Sequence, residues 1–140
     1  MPQYLEQIKT AVTSWPGMTA SPHRFGGTEF NLGTTEVGHF HSNGMVDIPF
    51  NSKIRDQLIL EHKAEPHHLL KDTGWISFYI RSEEDVETAI WLFRLSYLFN
   101  ASRAQGRAAL GDALNLDAAL AAIPLSQPLQ TILDGLILKR

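Results

Sequence analysis

The stretch Glu36-Val37-Gly38-His39-Phe40-His41-Ser42-Asn43-Gly44-Met45-Val46-Asp47-Ile48-Pro49 decides the fold. Runs from Thr35 to His41 and from Met45 to Pro49 flank Ser42-Asn43-Gly44, and Asn-Gly between two such runs is the strongest short-range signal for a β-hairpin. With a two-residue turn at Asn43-Gly44, His41 pairs with Val46, Phe40 with Asp47 and His39 with Ile48. In that register His39 and His41 share a face with Val37, Val46 and Ile48, while Glu36, Phe40 and Asp47 lie on the other. A slip of one residue would reverse the partition, because side chains alternate along a strand.

Working outward from the hairpin, Thr28 to Leu32 reads as the strand before it, set off by Gly26-Gly27 and Gly33-Thr34. Upstream, Tyr4, Ile8, Ala11, Val12 and Trp15 recur at helical spacing until Pro16-Gly17 breaks the pattern, predicting a helix from about Gln3 to Trp15. Downstream, Asn51 or Ser52 caps a second helix running to about His62. Strands follow over Ala64 to Leu70 and Trp75 to Arg81, with Ile76, Phe78 and Ile80 forming the apolar face of the latter. Ser82 and Asp85 resemble a capping box at the head of a helix to about Phe99 that is apolar nearly all round and therefore central. Beyond Asn100 two helices are expected, Leu116 to Ile123 and one starting near Pro128, whose stripe of Leu129, Ile132, Leu133, Leu136 and Ile137 either packs on the core or serves as a dimerising arm. The sum is an α+β fold: an antiparallel sheet, built as a meander and extended by the later hairpin, with helices packed mainly on one face and a helical C-terminal extension. Residues 1–100 carry the α+β domain, and 101–140 are the extension of that same domain.

Composition narrows the functional classes. The chain has 140 residues, 44% hydrophobic and 19% charged, which suits one globular domain. A formal net charge of −3 gives no electrostatic footprint for nucleic acid. There is no cysteine, so disulfides, thiolate metal sites and cysteine nucleophiles are excluded. No run approaches the ~20 apolar residues that span a bilayer, and the N-terminus lacks the pattern of a signal peptide, so a cytoplasmic location without membrane partners is the default expectation.

Four of the six histidines fall in two short stretches, Glu36 to His41 and Glu65-Pro66-His67-His68. Histidine titrates near neutral pH and is the commonest metal ligand. Three readings of His39 and His41 stand open: two ligands of a metal completed by His67, His68 or a carboxylate, one general base in a pocket, or two half-buried imidazoles bonded to backbone. Of His67 and His68, adjacent on a strand, at most one can join a given site. Trp75 and Arg81 could receive a planar or anionic ligand by stacking and charge. No cofactor is expected, and a transition metal at the histidine cluster is the alternative.

The run from about Pro22 to Leu98 resembles the luciferase-like domain family, named for the fungal luciferases and including small bacterial proteins of unassigned function. The resemblance lies in Pro22-His23-Arg24-Phe25-Gly26-Gly27-Thr28-Glu29-Phe30, in Glu36 to His41, in Val46-Asp47-Ile48-Pro49-Phe50, in Glu65-Pro66-His67-His68, and in Gly74-Trp75, Tyr79 and the acidic helix start after Arg81. Fungal luciferases oxidise a hydroxylated styryl-pyrone with molecular oxygen, so the resemblance implies a planar small-molecule ligand and a histidine base that deprotonates its enol. By that analogy His39 or His41 is the base, and Trp75 and Tyr79 line the pocket. With the histidine cluster itself, the catalytic candidates are His39, His41 and His67, and Glu36, Asp47, His68, Trp75, Tyr79 and Arg81 are the candidates for holding the ligand. A non-catalytic ligand-binding module, homodimeric through the C-terminal helices, is the expectation from a different class.

Overall fold

The computed structural model describes residues 2–23, 26–67, 69–70 and 72–138. Among these residues six strands, β1 (Met18–Pro22), β2 (Thr28–Leu32), β3 (Thr35–Phe40), β4 (Met45–Pro49), β5 (Glu65–Pro66) and β6 (Trp75–Tyr79), form one sheet in the order β1-β2-β3-β4-β6-β5. Every neighbouring pair is antiparallel. The meander expected before Pro49 is present, and the later hairpin extends it through β6 against β4. The helices are α1 (Pro2–Thr13), α2 (Ser52–Leu60), α3 (Glu83–Ala101), α4 (Ala104–Leu110), α5 (Leu116–Ala122) and α6 (Gln127–Leu138).

Two of these elements have no counterpart in the sequence reading. β1 is an edge strand with one buried residue, Met18, so it carries no alternating apolar pattern. α4 is a single short helix interrupted in composition by Gly106. The strand expected over Ala64 to Leu70 is only two residues long. It stops because the His67 side chain turns the chain: its Nδ1 accepts the backbone N–H groups of Leu69 at 3.1 Å and Leu70 at 3.0 Å.

α3 is the central helix, as its all-round apolar character predicts. It lies across β2, β3 and β4 and buries Leu92, Phe93, Leu95, Tyr97 and Leu98. Phe93 packs edge-on against Phe30 with ring centroids 5.2 Å apart. It also sits so close to Gly38 that a Cβ there would lie 2.6 Å from its ring, so β3 approaches α3 only with glycine at that position. At the helix starts, Asn51 accepts from the Ile54 N–H at 2.9 Å as expected. Ser82 makes no side-chain cap bond. The Asp85 carboxylate instead accepts from the Arg81 N–H at 2.7 Å, so the expected capping box is replaced by a bond one residue further back. The apolar stripe of α6 packs within the chain, with Leu129 and Leu133 buried and α2 alongside.

The expected hairpin register is corrected by one residue. His39 pairs with Asp47 and Phe40 with Val46, because the His41 N–H bonds the Met45 carbonyl at 2.8 Å and Ser42-Asn43-Gly44 form a three-residue loop. Gly44 takes φ +94°, the left-handed position that closes such a loop. Asp47 therefore falls on the face of His39 and His41, and Val46 and Ile48 on the opposite, helical face.

A bulge does the same for Glu36. On β2, Phe30 pairs with Gly38 but Asn31 pairs with Glu36, leaving Val37 as an extra residue on β3. A bulge re-aims the side chains beyond it by shifting their alternation. Without it Glu36 would share the helical face with Gly38. The Val37 carbonyl is instead taken by the buried hydroxyl of Ser96 on α3, which donates to it at 2.8 Å. Replacing Ser96 with Ala leaves that carbonyl buried without its donor and should destabilise the protein by roughly 1–3 kcal/mol in urea denaturation. A loss under about 0.5 kcal/mol, the range of an ordinary surface change, would mean the bulge does not depend on the hydroxyl.

Candidate functional site

Cross-strand pairing builds the site. Glu29 opposes His39, His39 opposes Asp47, and Asp47 opposes Ser77, so one row of polar side chains crosses β2, β3, β4 and β6 on the face away from α3. Directly opposed residues on neighbouring strands share a face and touch.

Asp47 is the centre of this row and is 1% exposed. Its Oδ1 accepts from the Ser77 hydroxyl at 2.6 Å. Its Oδ2 faces three imidazole nitrogens: His41 Nε2 at 2.7 Å, His39 Nε2 at 3.3 Å and His67 Nε2 at 3.4 Å. His39 is held at its other end as well, with Nδ1 2.5 Å from Glu36 Oε2. His67 Nδ1 accepts two backbone N–H groups, so its ring hydrogen is on Nε2, directed at Asp47. His41 spends Nε2 on Asp47 and leaves Nδ1, on a side chain 24% exposed, without a hydrogen-bond partner among the described residues.

Aromatic contacts close the cluster. His23 stacks on His39 with centroids 4.0 Å apart, its Nε2 3.9 Å from Glu29 and 4.0 Å from Glu36. Trp75 lies 5.8 Å from the His39 ring and 5.9 Å from the His67 ring, and is partly exposed.

The sequence-predicted residues therefore divide. Glu36, His39, His41, Asp47, His67 and Trp75 come together, whereas the expected register had turned both carboxylates away from the imidazoles. Tyr79 shares the face of β6 that carries Ser77 and Trp75, with the Arg81 guanidinium 5.2 Å from its ring, and Arg81 is exposed at the start of α3. His68 lies outside the described residues. The sequence reading missed Glu29, Ser77 and the role of His23. Glu29 and Ser77 are recoverable from the correct register alone, but His23 follows a strand with no periodic signal.

The electrostatics follow from burial opposed by partners. Burial alone lowers the pKa of His39, but the hydrogen bonds and charges of Asp47 and Glu36 outweigh it and raise the value from 6.5 to about 9. Burial raises Asp47, yet hydrogen bonds from His39, Ser77 and His41, with the charge of His67, hold it well below the usual carboxylate range. Burial lowers His23, reinforced by the neighbouring His39 and opposed by Glu36 and Glu29. His39, His41 and Asp47 also place one donor atom each within 4.8 Å of one another, so this group could hold a metal ion.

Residues 34–96, a little under half of the chain, match the family model of the Luciferase domain, and this part of the chain is similar to that domain. The match runs from β3 into α3 and takes in Glu36, His39, His41, Asp47, His67, Trp75 and Ser77, but not His23 or Glu29. Neither the curated proteins nor the solved structures give a match. Among the described residues no helix is long and apolar enough to cross a membrane.

The raised His39 pKa makes stability depend on pH with a definite sign. A group whose pKa is higher folded than unfolded stabilises fully below the unfolded value and loses that contribution as pH rises through the folded one. The unfolding free energy should therefore fall between pH 6.5 and about 9. The drop should be on the order of 3 kcal/mol at most, the same interaction seen from Asp47 not being added again. Urea denaturation across that window measures it, and the slope should vanish in His39→Gln. An equal slope in both proteins would place the titration elsewhere.

Proposed function

We propose that the luciferase-like domain binds a planar, enolisable small molecule against the histidine cluster and oxidises it with molecular oxygen. The observation that carries this reading is the His41–Asp47 pair. A carboxylate fixes one imidazole nitrogen and leaves the other, on a partly exposed ring, free to take a proton, which is the arrangement of an oriented general base. Trp75, 5.8 Å from the ring of His39 and 5.9 Å from that of His67, offers a flat surface for a conjugated ligand.

The chemistry needs little else. His41 Nδ1 takes the enol proton, and the imidazolium so formed, held by Asp47 through its other nitrogen, lies against the resulting anion. The electron-rich carbon of the enolate then forms a bond to dioxygen, the carbon being oxidised and the oxygen reduced to a peroxide. The peroxide recovers the proton from His41. The family match supports the oxygen chemistry by analogy with the fungal luciferases, and the cluster supplies groups suited to it.

A hydroxylated styryl-pyrone serves as the probe in an oxygen electrode. Uptake of oxygen in step with loss of the pyrone absorbance is expected, and His41→Ala should slow it by about 10²–10⁴-fold, the usual contribution of a positioned base. Binding should quench tryptophan fluorescence in the native protein and fail to do so in Trp75→Phe. Neither uptake nor quenching with the pyrone or with other enolisable heteroaromatics would overturn the reading.

A further inference from the structure

We infer that His39 Nε2, His41 Nε2 and Asp47 Oδ2 form a binding site for one divalent transition metal. The inference uses the atoms of the proposed oxidation but does not rest on turnover. Ligands each about 2.1 Å from a shared ion stand roughly 3.0–3.4 Å apart at octahedral or tetrahedral angles. His39 Nε2 already stands 3.3 Å from Asp47 Oδ2, and His41 Nε2, at 2.7 Å, needs to withdraw by only a few tenths of an ångström. All three donor atoms lie within 4.8 Å of one another.

The surroundings are those of a ligand set held in place. Glu36 bonds the far nitrogen of His39, the carboxylate–histidine support that orients metal-ligating imidazoles. Ser77 holds the other oxygen of Asp47. His67 is not a ligand: its Nδ1 is an acceptor for two backbone N–H groups, so Nε2 keeps its hydrogen and stands over the site as a donor. Two imidazoles and one carboxylate then leave coordination positions open. That donor set suits iron, cobalt, nickel or zinc rather than magnesium or calcium. With the ion on Nε2, the single hydrogen of His41 moves to Nδ1, so the metal-loaded and general-base forms exclude each other.

Cobalt(II) titrated into the full-length, chelator-treated protein tests the site. One equivalent should bind, with visible d–d absorption and a rise in Tm. Glu36→Gln should weaken it by about 10–100-fold, as loss of an orienting carboxylate does. His41→Ala, at a partly exposed position, should abolish the spectrum while circular dichroism remains native, and His67→Gln should leave the affinity within a few-fold. No saturable binding, or binding indifferent to His41→Ala, overturns the site and leaves the oxidation reading untouched. Oxygen uptake that stops on chelation and returns with metal would confirm the site and remove His41 from the role of base.

Discussion

A carboxylate sealed in the middle of a sheet is the constraint around which this molecule is arranged. Removing an ionised carboxylate from water costs several kcal/mol even after relaxation, unless hydrogen bonds replace the solvent. Asp47 is 1% exposed and recovers its donors from four side chains: Ser77 on one oxygen, and His39, His41 and His67 on the other. Each partner comes from a different device. The three-residue loop sets the register that brings His39 opposite and His41 beside it. β6 supplies Ser77 from the neighbouring strand. The chain after β5 abandons strand geometry so that His67 can cap its own turn with one nitrogen and reach Asp47 with the other.

The apolar side of the sheet controls the polar side through β3. Gly38 admits Phe93 of α3 to the backbone, and Ser96, three residues on, donates its hydroxyl to the carbonyl of Val37 at the bulge. The shift in alternation produced there turns Glu36 toward His39. Packing of one helix thus decides whether a histidine on the opposite face has one carboxylate partner or two. Interiors at crystal-like density transmit such constraints because side chains have few alternative positions.

Most of the architecture could be read from the chain, since helix periodicity, Asn51 and the strand runs between turn residues are local signals. The meeting of His39, His41, His67 and Trp75 was named, but the geometry that makes them a site was not. Asn43-Gly44 announces a hairpin equally well with a two- or a three-residue loop, and parity alone decides whether Asp47 meets the imidazoles or the core. Hydrophobic pattern could not break the tie: Phe40 and Val46 favour the observed face, while the apolar Val37 sits on the bulge and points to the wrong one. A bulge needs a long-range partner, here Ser96 on α3, and so leaves no local trace. β1 and His23 escaped for the plainer reason that an exposed edge strand has no alternation to detect.

The stacked pair of His23 and His39 shows where the cluster keeps its positive charge. Two imidazoles at 4.0 Å cannot both be cations cheaply, and the environment resolves the conflict by position. His39 lies between Glu36 and Asp47 at hydrogen-bond distances and is pushed toward the charged form, while His23 meets its carboxylates only at 3.9 and 4.0 Å and is pushed toward the neutral one. A dication entering the proposed site would have to displace a proton from this imidazolium, so its binding would release protons to solvent. That cost falls on His39, which two carboxylates hold at hydrogen-bond distance. In the proposed metal site the same Asp47 oxygen would serve protons and metal in turn, a competition set by the register of one hairpin.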